Sequence, residues 1–434
     1  MAASGDVAAG TGGATAPPGS AKPVVCFLGP VASYTHQATL QAFPTDKFEL
    51  MPVVTIKDIF DTTQSGRAAY GVVPFENSTN GSVVFTLDCF ADSAGAYPDL
   101  SVCAEVYQDV HHCLVGRRRP PKRSDDSDRG PTGGPPQSPS HGPSNTSPYP
   151  PNSLPSPPSA SNPPHHHHHH HHHPDPDLSH IRRVYSHPQA FGQCTRFLGA
   201  QLRGVETVDV SSTSRAAEMV RSEDDGAASA AISSAAAAEM LGLDVLARNI
   251  EDRPDNTTRF FVLRRGAGEE GSDVEGLLRR RRRRGAAGGG GPPLTSSGTF
   301  GNSDWGDAAT AAAAATTTTK SLVSFTVPHR SPGALADVLD CFRRSGLNLT
   351  SISSRPNLPP LRARGGGEGE GGTAPTPSFQ YVFFVEFEGH RFRDPEGRVR
   401  DALAGVAAAA RAWRWLGSWE NMLVARGAEA ERGG

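Results

Sequence analysis

The sequence predicts an α/β protein with two folded domains, and three observations support this fold class. Over residues 23–263, short hydrophobic runs typical of strands alternate with segments of helical periodicity. Over residues 320–426, a second series follows the order strand, helix, strand, strand, helix, strand. Low-complexity segments separate these regions and interrupt each of them. We therefore expect a larger α/β domain with a mostly parallel sheet and a smaller ferredoxin-like βαββαβ domain.

The larger domain begins with the buried run VVCFLG at 24–29, which predicts a strand followed by a helix near His36–Phe43. The run AYGVVPF at 69–75 predicts another strand. The later elements are strands at 110–116, 181–186, 205–210 and 227–233, and helices at 189–200, 212–221 and up to Leu241, followed by DVLARNI and TRFFVLR. Ser212 supplies a capping hydroxyl. Ligands in such sheets bind at the carboxyl ends of strands, beside helix N-termini.

The smaller domain follows the βαββαβ order through six segments. They are SLVSFTVP, GALADVLDCFRRSG, LNLTSISS, FQYVFFVEFEG, DPEGRVRDALAGVAAAA and WLGSWENMLV. We interpret Trp413, Trp415 and Trp419 as packing residues of the last helix and strand.

Low-complexity composition sets the remaining boundaries, because such segments cannot bury enough apolar surface to fold. They are a tail at 1–22, an insert at 117–178, a linker at 264–319, an insert at 359–377 and a tail at 427–434. The first insert contains nine consecutive histidines, His165–His173, and the linker contains six arginines, Arg279–Arg284. We expect these segments to be mobile, and we interpret both runs as parts of solvated connections rather than a metal site or a nucleic-acid patch.

Composition excludes several classes of function. The formal net charge of −3 argues against a general nucleic-acid or membrane binder. The six cysteines have no CxxC spacing, which is typical of buried thiols in a reducing compartment. The N-terminus has neither a signal-peptide pattern nor arginine, and no apolar run approaches the ~18 residues of a membrane span. We expect a cytoplasmic protein.

Four polar clusters border the predicted strands. They are Gly29–Thr35, Glu76–Gly81, Ser186–Gln189 with Gln193 on the next turn, and Asp255–Arg259. Each cluster alone is explained by helix caps and turns, which favour Ser, Thr, Asn and Gly. Together they supply hydroxyls, amides and a guanidinium but few carboxylates, which indicates a pocket for a small anion rich in carboxylate and hydroxyl oxygens.

The stretches FLGPVASYTHQA, GVVPFENSTNGSV, VYSHPQAFGQC and DNTTRFFVL resemble, in the same order, the motifs of prephenate dehydratase. The resemblance covers nearly all of 24–116 and 181–263. The smaller domain resembles the ACT regulatory domain of that family, through its GAL, SSRP and LGSW stretches. The resemblance implies a bilobal catalytic domain similar to type 2 periplasmic binding proteins, with the substrate between the lobes.

The reaction implied is the conversion of prephenate to phenylpyruvate, water and CO2. Aromatisation drives it, so we expect no cofactor and no metal. The difficult step is the departure of hydroxide, which a hydrogen-bond donor assists. By resemblance the donor is Thr258, and Arg259 binds a substrate carboxylate. The other expected substrate-binding residues are Ser33, Tyr34, Asn77, Ser78, Ser186 and Gln193.

The ACT resemblance implies L-phenylalanine as an inhibitory effector and a homodimer or homotetramer. The expected effector-binding residues are Gly333, Ala334, Leu335, Ser354, Arg355 and Pro356. Glycine at 333 allows the ligand close to the main chain. Ser353 stands where the family has Glu, which leaves the strength of the regulation open.

Three alternatives stay open or are disfavoured by the residues. Arogenate dehydratase acts on the amino form of the same substrate, and the motif residues do not separate the two. A non-catalytic amino-acid sensor would keep both binding modules, but it has no need of the Thr258 donor. A metal cluster of His111, His112 and His187 is disfavoured because no Cys or carboxylate lies at ligand spacing.

Overall fold

The computed structural model of the chain describes residues 22–118, 177–223, 228–266, 318–357 and 380–423, together with Gly276. The histidine block, the arginine run and almost all of the predicted tails, inserts and linker lie outside these residues. None of the helices in the described ranges is long and apolar enough to cross a membrane.

The first lobe is a mixed sheet with helices on both faces. Its strands lie in the order β5-β11-β3-β1-β2, with the short β4 paired to β3. Helix α1 packs on one face through Ala38 and Ala42, and α2 and α3 pack on the other through Phe60 and Phe90. The elements are β1 (Val24–Leu28), α1 (Tyr34–Ala42), β2 (Glu49–Val53), α2 (Ile56–Gln64), β3 (Tyr70–Asn77), β4 (Gly81–Ser82), α3 (Val84–Ala91), β5 (Leu100–Asp109) and β11 (Thr257–Arg265).

The second lobe is a five-stranded sheet in the order β10-β6-β9-β7-β8. Its elements are β6 (Cys113–Gly116), β7 (Arg183–Ser186), α4 (Pro188–Gly192), α5 (Thr195–Gln201), β8 (Glu206–Asp209), α6 (Thr213–Ser222), β9 (Ser229–Ser233), α7 (Ala235–Leu241) and β10 (Asp244–Ala247). The predicted capping role of Ser212 is confirmed, since its hydroxyl accepts from the backbone N–H of Arg215. The bilobal α/β fold is confirmed.

Two details of the larger domain were predicted wrongly. The sheets are mixed rather than mostly parallel, because the chain leaves the first lobe after β5 and returns as β11. On its return, β11 enters between β3 and β5 and runs antiparallel to both. The single helix expected at 189–200 is two helices, α4 and α5, which are separated at Gln193 and Cys194.

The C-terminal domain has the expected βαββαβ order. Its elements are β12 (Thr319–Thr326), α8 (Ala334–Arg344), β13 (Leu349–Pro356), β14 (Tyr381–Glu388), α9 (Arg398–Ala409) and β15 (Ala412–Glu420). The strands lie in the order β13-β14-β12-β15, which places the first strand beside the third and the fourth as in ferredoxin-like folds. Helices α8 and α9 pack through Val338, Phe342 and Val406 on a core that includes Val323 and Phe387.

The C-terminal domain continues the sheet of the first lobe. Strand β15 lies parallel to β5, with Gly417 opposite Val102, so the described strands of the first lobe and of the C-terminal domain form one ten-stranded sheet. One hydrophobic core also spans the junction, where Phe261 of β11 contacts the fully buried Trp419 with ring centroids 5.0 Å apart. The two domains are therefore packed together rather than merely connected.

Candidate active site

The chain crosses between the two lobes twice, and the crossing segments hydrogen-bond to each other. They are residues 110–112, between β5 and β6, and 248–256, between β10 and β11. The N–H of Val110 donates to the carbonyl of Asn256 at 2.8 Å, and that of Ile250 donates to the carbonyl of His112 at 3.0 Å. The buried carboxylate of Glu251 accepts the N–H of His112 at 2.8 Å. These bonds fix two side chains, those of His112 and Asn256, between the lobes.

A continuous chain of six polar side chains lies at this crossing, and we call it the site cluster. Its members are Tyr34, Asn77 and Thr258 from the first lobe, Gln193 from the second, and His112 and Asn256 from the crossing segments. Strand pairing explains one end of it, because Asn77 and Thr258 are register partners on β3 and β11. Of the predicted site residues, the structure therefore brings Tyr34, Asn77, Gln193 and Thr258 together.

The amide of Asn77 orients the hydroxyl of Thr258. Asn77 Oδ1 accepts the backbone N–H groups of Thr79 and Asn80, each at 3.0 Å. Its Nδ2 is therefore turned to the opposite side, where it donates to Thr258 Oγ1 at 2.9 Å and to Asn256 Oδ1 at 2.7 Å. Because Thr258 Oγ1 accepts from Asn77, its own proton is directed elsewhere. Thr258 is thus arranged as a hydrogen-bond donor.

The other end of the site cluster is held by a neutral histidine. Burial lowers the pKa of His112 from its ordinary value of 6.5 and raises that of the Tyr34 hydroxyl. Gln193 Oε1 lies 2.8 Å from His112 Nε2 and 3.2 Å from Asn256 Nδ2, and an amide oxygen only accepts. His112 Nε2 therefore carries the proton, and Nδ1 faces the Tyr34 hydroxyl at 3.2 Å. With its oxygen accepting twice, the Gln193 amide nitrogen is oriented as a donor.

The three predicted serines make structural hydrogen bonds instead. Ser33 caps α1, accepting the N–H of His36 at 3.1 Å, and its hydroxyl donates to the Leu28 carbonyl. Ser78 accepts the N–H of Thr257 at 3.0 Å, which fixes the start of β11. The hydroxyl of Ser186 is fully buried and donates to a backbone carbonyl of β9 at 2.9 Å. The expectation that these hydroxyls bind substrate receives no support from these contacts.

Arg259 lies away from the site cluster. Successive side chains of a strand point to opposite faces, so Thr258 faces the site and Arg259 faces the other side of β11. Its guanidinium is buried, with 6% of the side chain exposed, and pairs with Glu105 and with Glu386 of the C-terminal domain. The geometry therefore does not support the prediction that Arg259 binds a substrate carboxylate.

The expected effector residues lie at or near one end of the C-terminal sheet, where strands β12 and β13 both end. Thr326, at the end of β12, and Arg355, near the end of β13, both pair with Val382 of β14. Gly333 has a φ of 87°, which favours glycine, and precedes α8, which begins with Ala334 and Leu335. The neighbouring Ser354 and Pro356 complete β13. Arg355 itself is bidentate to Asp88 of α3, with Nε–Oδ1 at 2.6 Å and Nη2–Oδ2 at 3.2 Å.

Sequence reasoning missed two members of the site cluster, His112 and Asn256. From the sequence, His112 enters only as a member of the disfavoured metal cluster with His111 and His187. Within the described ranges, no group of three or more His, Cys, Asp or Glu side chains is placed to hold a metal ion. The available signal was position: His112 lies in the polar start of the predicted strand at 110–116, and Asn256 lies in the polar cluster Asp255–Arg259 beside TRFFVLR.

Two α/β lobes joined by two crossing segments, with a polar cluster between them, define a bilobal class of protein with a candidate small-molecule site at the interlobe boundary. The profile of the family described as prephenate dehydratase matches residues 25–124 and 166–267. The bifunctional chorismate mutase/prephenate dehydratase of Neisseria gonorrhoeae is 28% identical over 92% of this chain and 75% of its own length. The probable prephenate dehydratase of Saccharomyces cerevisiae is 28% identical over 84% and 86%, respectively. The chain belongs to the prephenate dehydratase family.

Two further comparisons bear on substrate and fold. The chloroplastic arogenate dehydratase/prephenate dehydratase 1 of Arabidopsis thaliana is 25% identical over 92% of this chain and 72% of its own length. Among solved structures, the prephenate dehydratase of Arthrobacter aurescens in complex with L-Phe matches with a TM-score of 0.57 and 24% identity. That match covers 92% of this chain and 90% of the other, and it shows that the fold is shared.

Proposed function

We propose that this enzyme catalyses the decarboxylating dehydration of prephenate to phenylpyruvate, with the site cluster as its active site. The C–C bond to the ring carboxylate breaks and releases CO2, and its electron pair enters the ring. The ring C–O bond breaks at the same time, and the departing oxygen takes up one proton to leave as water. The overall reaction of the dianion therefore consumes one proton and yields the phenylpyruvate anion.

The observation that carries the proposal is the orientation of the Thr258 hydroxyl by Asn77. A threonine hydroxyl is too weak an acid to serve as a free proton source at neutral pH. As a fixed donor, it stabilises the negative charge that develops on the departing oxygen, an effect worth about 10²–10⁴-fold in rate. The Gln193 amide nitrogen is a second donor, for a substrate carboxylate or carbonyl oxygen. A pure amino-acid sensor would gain nothing from a donor aimed at a leaving group.

The experiment that tests this function is an assay of the purified full chain with prephenate, following phenylpyruvate and CO2 together. Equal amounts of both products are expected. If the chain binds prephenate but forms neither product, it is a sensor and the catalytic proposal is wrong. Arogenate is the matched second substrate, favoured as an alternative by the Arabidopsis relative that carries both activities in its name. A higher kcat/KM with arogenate would identify the chain as an arogenate dehydratase.

The proposed effector is L-phenylalanine, bound at the end of the C-terminal sheet near Gly333 and residues 354–356. The proposal draws on the ferredoxin-like domain packed against the catalytic lobe and on the L-Phe complex of the Arthrobacter relative. ACT domains bind amino acids where two copies meet, so we also propose a homodimer or homotetramer. Calorimetric titration of the full chain with L-phenylalanine tests the effector. Light scattering tests the oligomeric state separately. Absence of binding would refute the effector assignment.

A further inference from the structure

A buried cluster of four charged side chains joins the catalytic domain to the C-terminal domain, and we call it the interdomain charge cluster. Its members are Arg259 of β11 and Glu105 of β5 on one side, and Glu386 of β14 and Lys320 of β12 on the other. Arg259 Nη2 lies 2.6 Å from Glu105 Oε2 and 2.5 Å from Glu386 Oε2. Lys320 Nζ lies 3.3 Å from Glu386 Oε1. None of the four side chains is more than 6% exposed.

The positions of these four side chains are tightly constrained because their charges are removed from water. Two buried cations face two buried carboxylates, and the partly exposed Glu76 lies 3.8 Å from Arg259 Nη1. Losing one of the buried charges leaves its partners without full compensation. The guanidinium also lies 4.8 Å from the centroid of the Phe261 ring, which limits its movement. Burial raises the pKa of Glu386, but Arg259 and Lys320 outweigh this and hold it below its usual value. The position of Arg259 therefore depends on a carboxylate of the other domain.

On the catalytic side, Arg259 follows directly after Thr258. The register pairs Thr258 with Asn77 and Arg259 with Glu76, so the site cluster and the interdomain charge cluster lie on opposite faces of β11. A rotation of β11 that moves the guanidinium also moves the hydroxyl. Displacement of a catalytic group by about 1 Å can cost on the order of 10²-fold in rate.

On the regulatory side, Glu386 is held by the strand that carries three of the expected effector residues. The hydroxyl of Thr350, on β13, donates to Glu386 Oε1 at 2.7 Å. The same strand continues to Ser354, Arg355 and Pro356. Direct contacts therefore run from β13 through Glu386 to Arg259 and, by the peptide bond, to Thr258.

We propose that Arg259 is a positioning residue rather than a substrate ligand, and that the interdomain charge cluster transmits the state of the C-terminal domain to the Thr258 hydroxyl. The proposal rests on the proposed dehydratase function and deepens it by identifying how the regulatory domain acts on the site.

The test compares the full-length wild type with Glu386→Gln, which keeps the shape of the side chain and removes its charge. The kcat for prephenate is expected to fall by about 2–30-fold, while KM changes by less than about threefold. Inhibition by L-phenylalanine is expected to weaken although calorimetry still detects its binding. Arg259→Lys is expected to reproduce the loss of kcat at unchanged KM, and the double variant to be no worse than the worse single variant.

Two further variants separate positioning from general damage. Asp88→Asn also converts a carboxylate to an amide in an ion pair between the domains, but this pair joins α3 to β13 and includes no residue of β11. It is expected to retain the wild-type kcat. Thr350→Val removes only the hydroxyl that holds Glu386, and it is expected to weaken inhibition even if Glu386→Gln fails to fold.

Each contrary result has a distinct meaning. A raised KM at unchanged kcat in Arg259→Lys would identify Arg259 as a substrate ligand and overturn the proposal. Wild-type inhibition in both Glu386→Gln and Thr350→Val, or equal losses of kcat in Asp88→Asn and Glu386→Gln, would also overturn it. A wild type without dehydratase activity would refute the proposed function and this inference together, whereas an active wild type with unaffected variants refutes only the inference.

Discussion

At the scale of single residues, the hydroxyl of Thr258 depends on the amide of Asn77 for its direction. Thr258→Ala removes the donor and leaves the substrate's other contacts in place. We expect kcat for prephenate to fall by about 10²–10⁴-fold with little change in substrate affinity, because the hydrogen bond strengthens only as the C–O bond breaks. Steady-state kinetics and calorimetric binding measure the two effects. Thr258→Ser is the matched control and should retain most of the activity; a near-wild-type kcat for the alanine variant would contradict the assignment.

Three buried histidines, His36, His112 and His390, make stability dependent on pH. Burial lowers the pKa of each, to about 4 for His390. The unfolded chain, with an ordinary pKa near 6.5, therefore binds protons that the folded chain does not, and stability is full above pH 6.5 and falls as the pH drops toward 4. At pH 5 the lowered pKa of His390 costs about 2 kcal/mol of unfolding free energy relative to pH 7, and the other two histidines act in the same direction. Urea unfolding at pH 5 and pH 7 tests this. In His390→Gln, the difference in unfolding free energy between the two pH values should be smaller than in the wild type. Greater stability at pH 5 would contradict the expectation.

The sequence predicted four of the six members of the site cluster but not how they are arranged. Asn77, Gln193, Tyr34 and Thr258 were found because polar residues after buried strands are informative. The substrate-binding role of Arg259 stays a prediction that the geometry does not support, because neighbouring side chains of a strand lie on opposite faces of the sheet and Arg259 therefore faces away from Thr258. The pairing of that arginine with Glu386 involves residues 127 apart in the chain, and no local pattern reports such a contact.

At the scale of elements, Gly417 permits the junction of the two domains. It has a φ of 151°, and a Cβ at this position would lie 2.1 Å from the carbonyl oxygen and 2.8 Å from the nitrogen of Val102. We expect Gly417→Ala to force β15 away from β5 and to lower the unfolding free energy by roughly 3 kcal/mol, at the upper end of overpacking effects. Thermal unfolding measures the change. Gly199→Ala, in the open middle of α5, is the control and should be neutral or stabilising. An unchanged melting temperature for Gly417→Ala would contradict this expectation, because it would show that β15 and β5 can move apart without a loss of unfolding free energy.

Most elements followed from local patterns, but the way strands combine did not. Strand and helix periodicity predicted the βαββαβ order of the C-terminal domain and many elements of the catalytic domain. The antiparallel β11 and the junction of β5 with β15 are contacts between distant segments, and hydrophobic periodicity carries no information on partners. One signal was present: Glu105, Lys320 and Glu386 lie within or beside hydrophobic runs, where a charge needs a buried partner.

At the scale of the whole molecule, the shared core means that the domains stabilise each other. Leu322, Phe384 and Trp419 of the C-terminal domain pack with Phe90 and Phe261 of the first lobe. Removing the C-terminal domain would expose this apolar face together with the buried charges of Arg259 and Glu105. Tests of regulation are therefore sharper with point variants of the full chain than with an isolated catalytic domain.

The long insert in the catalytic domain is expected to be dispensable for catalysis, and the topology of the second lobe gives the reason. Gly116 of β6 and Val184 of β7 both pair with Ala230 of β9, from opposite sides, so they lie about 10 Å apart, two strand spacings. After deletion of residues 120–176, ten residues still connect them and can span about 33 Å. Shortening a surface connection changes the closure free energy only slightly. The deletion variant should therefore fold and keep its kcat and KM for prephenate within about threefold. A soluble, folded but inactive variant, by circular dichroism and kinetics, would show instead that the insert contributes to the site.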